Sequence, residues 1–212
     1  YLKPAPSRVT RYTAAMTSGR LQRCAPEGRA ELDALVTDLA LAAGTGDRTA
    51  LGEFIRLTQG DVWRFLAHLA SPEQADDLTQ DTYLRAMDSL PSFEGRSPAR
   101  AWLLTIARRV AVDAVRRDVA RPQTPWSPER ITALGRAEDD SLVLVEATAV
   151  FAKLDPDRRE AFVLTQLLGF TYEQAAEVCG VRIGTIRSRV ARARAELVVA
   201  CGAADEVSAE AV

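Results

Sequence analysis

Between Arg182 and Ala195 stand five arginines (Arg182, Arg187, Arg189, Arg192 and Arg194), two hydroxyls (Thr185 and Ser188) and no acid. A guanidinium is always charged and carries five N–H donors in a fixed fork. It can grip a phosphate, or the O6/N7 edge of a guanine, with two parallel bonds. Neighbouring hydroxyls supply further contacts to phosphate or base. This is the chemistry of holding a polyanion, and it makes or breaks no bond. A merely solvated helix face mixes its signs, and this one does not.

The elements around these arginines fit that use. Ile183, Ile186, Val190, Ala193 and Leu197 recur at i, i+3, i+7, i+10 and i+14, one apolar stripe of a helix whose other faces carry the arginines. Upstream, Thr171 and Gln174 have the spacing at which two side chains cap each other's backbone donors. Ala175, Ala176 and Val178 make a small-residue surface on which another helix can pack closely. Gly180 gives the backbone freedom for a sharp turn. A short helix, a tight turn and a longer basic helix make a helix-turn-helix.

The total charge of −2 hides a segregated chain. From Glu31 to Asp81 ten acids oppose three arginines, giving −7. From Arg96 to Arg117 six arginines oppose one acid, Asp113, giving +5. Two separate basic sections predict two contacts with a polyanion, and the acidic section predicts a different partner. Ser71-Pro72-Glu73-Gln74 starts a helix to about Ser89. It packs through Ala75, Leu78, Thr79, Thr82 and Ala86, and shows Asp76, Asp77, Gln80, Asp81, Leu84 and Arg85 on its other face. Ser97-Pro98 caps the next helix, with Trp102, Leu103, Ile106, Ala107, Val110 and Ala114 inward. Thr105, Arg108, Arg109, Val112 and Arg116 form the opposite, basic stripe.

The 212 residues are 47% hydrophobic, enough for real cores. No apolar run approaches the ~20 residues of a membrane span, so no membrane insertion is expected. No secretory leader is visible, and Met16 is a conceivable start. Cys24, Cys179, Cys201 and the lone His68 have no zinc-site spacing, and a reducing cytoplasm is the simplest setting. His68 reads as a packed residue rather than a ligand. No phosphate loop, nucleophile elbow or His-Cys pairing occurs, so neither a catalytic activity nor a cofactor is expected.

The pattern predicts an all-α chain of two small helical domains joined by a proline-containing linker. Residues 1–30 read as a disordered extension, 31–117 as the first domain and 118–140, with Pro122, Pro125 and Pro128, as the linker. Residues 141–198 form the second domain, ending in the helix-turn-helix, and 199–212 a flexible tail. A helix from Ser141 carries Leu142, Val145, Ala149 and Leu154, and another after Asp155-Pro156 packs Ala161, Phe162, Leu164, Thr165 and Leu168.

ADDLTQDTYLRAM at 75–87, FEGRSPARAWLLTIAR at 93–108 and LDPDRREAFVLTQLLGFTYEQAAEVCGVRIGTIRSRVARAR at 154–194, in that order, resemble a bacterial RNA polymerase sigma factor. The resemblance is to the small extracytoplasmic-function type, which keeps only domains 2 and 4. It implies a subunit that binds core RNA polymerase and directs initiation at promoters through −10 and −35 elements. The other reading of the residues is a stand-alone helix-turn-helix regulator, which has no need of the acidic helix.

By resemblance, the helix at 72–89 docks on the clamp helices of the largest polymerase subunit through Asp77, Gln80, Asp81 and Leu84, and the polymerase flap is the second polymerase contact. The loop and helix at 93–117 serve the −10 element, with Arg96, Arg100, Arg108, Arg109, Arg116 and Arg117 on phosphates and the loop capturing an unstacked base. The helix at 183–196 serves the −35 element through Arg182, Thr185, Arg187, Ser188, Arg189 and Arg192. Many relatives are held inactive by an anti-sigma factor, a further expected partner. Two positions depart from the family: Arg109 stands where Asn is frequent, and Arg182 where a capping Ser or a Pro is common.

Overall fold

Local capping chemistry sets the helix starts. In the computed structural model, which describes residues 26–120 and 151–210, the Asp47 carboxylate accepts from the N–H groups of Thr49 at 2.8 Å and Ala50 at 3.0 Å. The Ser71 hydroxyl accepts from the Gln74 N–H, with Pro72 at the first helical position. Among the described residues α1 spans Pro26–Gly44, α2 Arg48–Leu69, α3 Pro72–Ser89 and α4 Ala99–Ala120. The C-terminal part holds α5 Pro156–Phe162, α6 Tyr172–Cys179 and α7 Ile183–Glu210. Residues 1–25, nearly all of the 118–140 linker and the start of the helix from Ser141 lie outside the described residues.

Three starts and ends differ from expectation. α1 begins at Pro26, five residues ahead of Glu31, and its Arg29 guanidinium donates to the Leu168 carbonyl in the C-terminal part. A tertiary contact holds a turn that has no apolar periodicity of its own. α4 draws its first cap from elsewhere: the Ala99 N–H donates to the Thr37 hydroxyl of α1 at 3.0 Å. α7 runs on to Glu210, past the end of its apolar stripe at Leu197.

Packing of amphipathic faces does the rest. α2 packs on α1, α3 and α4, and α4 packs also on α1 and α3, around Phe54, Val62, Phe65, Leu66, Leu103, Leu104 and Val110. After Phe162 the chain widens to π geometry over Val163–Leu167, where the Leu168 N–H reaches back to the Val163 carbonyl at 2.9 Å. That turn buries Val163, Leu164, Thr165 and Gln166 in succession. Leu164, Phe170, Ala175, Val178, Ile186 and Val190 then join the same hydrophobic cluster as the N-terminal helices. A smaller cluster of Phe151, Leu154, Phe162, Ala193 and Leu197 closes the far side. The two helical units therefore share one apolar seam.

His68, 1% exposed, sits at this seam with its ring 5.3 Å from that of Phe151. Burial, with the Arg159 charge nearby, lowers its pKa to about 4. The unfolded chain therefore binds a proton near pH 6.5 that the native chain refuses. Stability is whole above that pH and falls as the pH drops toward 4. Denaturant titration should show a loss of roughly 2 kcal/mol between pH 7 and 5 that His68→Phe removes.

Candidate nucleic-acid interface

The helix-turn-helix forms as its local chemistry dictates. The Thr171 hydroxyl accepts from the Gln174 N–H at 3.1 Å, and the Gln174 side-chain oxygen accepts from the Thr171 N–H at 2.9 Å. Gly180 ends α6 with φ of 66°, left-handed backbone that a side chain would strain. Burial pushes the Cys179 thiol beside it well up, which keeps it protonated. At the start of α7 the Arg182 carbonyl accepts from the N–H groups of Thr185 at 2.8 Å and Ile186 at 3.3 Å. Ile186, Val190, Ala193 and Leu197 are buried as the stripe requires.

The arginines of this helix do not share one fate. Arg182, Arg187 and Arg192 are exposed, with Ser188 between them. Arg189 is only 18% exposed and pairs with Asp157 of α5. Arg194 donates to the Gln166 side-chain oxygen. The free set is thus Arg182, Arg187 and Arg192, beside half-buried Thr185.

On α4 the sorting is sharper. Arg109, Arg116 and Arg117 are exposed, and Arg96 in the preceding loop is exposed beside Glu94. The Phe93 ring lies 4.8 Å from that of half-buried Trp102, fixing the loop to the helix. Arg100 corrects the set of phosphate contacts that the resemblance implied: its side chain is 4% exposed. Its nitrogens donate to Asp33 of α1 at 2.7 Å and to Asp61 of α2 at 2.5 Å, and its guanidinium lies 4.6 Å from the centre of the Phe170 ring. Burial opposes this charge, but the two carboxylates outweigh it and raise the pKa. No phosphate reaches such a group. Arg108 is held across the seam by Glu160 at 2.5 Å, and burial lifts the Glu160 carboxyl above its ordinary range despite that partner.

α3 presents Asp77, Gln80 and Leu84 to solvent, with Leu84 59% exposed. Asp81 is half-buried and accepts from Arg85 at 3.0 Å. Asp76, counted on the same face, is taken by the Trp63 indole N–H at 2.8 Å. Tyr83 points inward instead, its hydroxyl 2.7 Å from that of Thr58, and burial pushes its pKa up to about 12.

Asp33, Asp61, Asp157, Glu160 and Arg159, which no local motif marks, hold these elements together. Asp33 takes Arg100 with one oxygen and the Gln174 amide with the other, at 2.9 Å. Arg159 donates to the His68 carbonyl at the end of α2, where a cation complements the helix dipole. α6 packs directly on α4.

Residues 54–121 match the Sigma-70 region 2 family and residues 144–197 the Sigma-70, region 4 family. The ECF RNA polymerase sigma factor SigC of Mycobacterium tuberculosis is 52% identical over 164 residues, covering 76% of this chain and 89% of that protein. The chain belongs to the ECF sigma factors. Such a sigma factor directs RNA polymerase to promoters, and the stand-alone regulator is not favoured. Two solved relatives share the fold of this sigma factor. RpoE of Bartonella quintana, in complex with the anti-sigma factor NepR, has a TM-score of 0.60 at 36% identity, covering 69% of this chain and 93% of that one. CnrH, in complex with the cytosolic domain of CnrY, has a TM-score of 0.64 at 26% identity, with coverages of 80% and 98%. CnrH comes from Cupriavidus metallidurans.

The sorting of arginines is directly measurable. Arg100→Met should lower the unfolding free energy by about 3 kcal/mol, because it strands two part-buried carboxylates. Arg109→Ala should change it by less than about 0.5 kcal/mol. Parallel urea titrations of the two variants check this.

Proposed function

We propose that this sigma factor reads the −10 element with the loop and exposed arginines of α4 and the −35 element with the exposed face of α7, while α3 docks on core polymerase. The supporting observation is the sorting just described: a carboxylate-bearing helix face and two arginine sets all stay open to solvent in one chain. On α3 the docking residues are Asp77, Gln80, Asp81 and Leu84, facing the clamp helices of the largest subunit. Arg96, Arg109, Arg116 and Arg117 take −10 phosphates. Arg182, Thr185, Arg187, Ser188 and Arg192 meet the −35 major groove, where a bidentate arginine on guanine discriminates by about 1–3 kcal/mol.

Arg108 and Arg189 are reserves, available once Glu160 and Asp157 release them. The seam itself has to part. The two elements are ~25 base pairs apart, ~85 Å along B-form DNA. An α6 packed on α4 cannot serve both ends at once. Residues 122–143, between the two family-matched regions, have a contour of about 75 Å at full extension, and the breadth of the two units supplies the remainder.

The protein works in the cytoplasm as a non-catalytic subunit and needs no cofactor. An anti-sigma factor is a natural partner, because the solved RpoE relative is captured with one.

Run-off transcription with purified core polymerase on genomic promoter fragments is the test. Tight promoter binding by the protein alone, with no added transcript from core polymerase, would overturn the assignment. Asp81→Arg should abolish co-elution with core polymerase and leave thermal unfolding unchanged. Arg187→Ala should lower −35-dependent transcription about tenfold and relax preference at one base pair. An equal loss on every sequence would make it a phosphate contact instead.

A further inference from the structure

Asp113 is the one acid between Arg96 and Arg117. It lies four residues after Arg109, three before Arg116 and four before Arg117, so all three are its neighbours on the surface of α4. A carboxylate there has two costs for DNA binding. It can pair with an arginine meant for a phosphate, and it repels the phosphate itself. The structure avoids the first. Among the described residues the ion-pair partner of Asp113 comes from the neighbouring helix: Arg85 of α3 donates to it at 3.1 Å. Arg117 turns its Nε to the backbone carbonyl of Asp113 instead of the carboxylate. Arg85 also holds Asp81, at 3.0 Å, on the docking face. Both carboxylates raise the pKa of Arg85, with Asp113 the larger cause.

We propose that Arg85 is a positioning residue for promoter binding, which neutralises Asp113 from α3 and so leaves Arg109, Arg116 and Arg117 free for phosphate. The inference rests on the reading of α4 as the −10 surface. It also gives the docking helix a route to the DNA helix. When polymerase engages Asp81, Arg85 keeps Asp113 as its partner and the shield tightens.

The test uses holoenzyme assembled with excess core polymerase, binding to a promoter duplex on which it gives a run-off transcript. Arg85→Gln should weaken that binding about three- to tenfold. Adding Asp113→Asn should restore it, and the defect should shrink as salt rises. A merely structural Arg85 predicts the opposite: a loss that Asp113→Asn does not rescue and salt does not change, which overturns the proposal. Arg116→Ala in the same assay separates the two levels. If it weakens binding while the double variant shows no rescue, only the role of Arg85 fails. If it leaves binding unchanged, the −10 assignment of α4 fails and this inference with it.

Discussion

The guanidinium of Arg100 is the contact on which the arrangement turns. It ties α4 to α1 through Asp33 and to α2 through Asp61, and lies against Phe170 from the C-terminal unit. The second oxygen of Asp33 takes the amide of Gln174, whose own oxygen caps Thr171. One buried charge therefore connects three N-terminal helices with the cap of the helix-turn-helix. Its worth to net stability is small, since desolvation consumes most of the attraction. Its worth to geometry is large. With one partner removed, the remaining buried charge has no other solution, so the helices keep the register that pairs all three groups.

The same side chain, arginine, serves two opposed purposes here, and solvent decides which. Arg100 is consumed by the fold. Arg108 and Arg189 are engaged by Glu160 and Asp157 from other elements. Arg109, Arg116, Arg117, Arg182, Arg187 and Arg192 remain exposed. An exposed ion pair is worth little in water and yields readily to a phosphate. A pair as enclosed as that of Arg100 does not yield. Helix periodicity puts Arg100 at the start of a basic section without showing what faces it.

That limit explains what could be read from the chain. The helix-turn-helix was legible because its determinants are local: a capping box three residues wide, a left-handed glycine and a stripe of period 3.6. So was α3, from Ser71-Pro72 onward. The arginine partners were not legible, because Asp33 lies 67 residues from Arg100, Glu160 lies 52 from Arg108, and Asp157 lies 32 from Arg189. The start of α1 and the Thr37 cap of α4 failed for the same reason, since each is supplied by another element. The small surface of Ala175, Ala176 and Val178 did announce a close helix partner, but not that the partner would be α4 of the other unit.

That partner sets the thermodynamic problem of promoter reading. Separating the units uncovers Val178 and Ala175, leaves Phe170 without Arg100, and unpairs Asp33 from Gln174 and Glu160 from Arg108. Apolar surface returned to water costs about 25 cal/mol per Å². Part of that is recovered at Glu160, whose ionised form is disfavoured inside the seam and hydrates once outside. On the proposed reading Arg108 recovers more by exchanging its one carboxylate for a phosphate. The apolar part has no such exchange on DNA, which is a polar and charged partner. It has to be met by a protein surface. For the parted form proposed above, the closed seam and the charged DNA face together make polymerase, rather than DNA alone, the partner able to stabilise it.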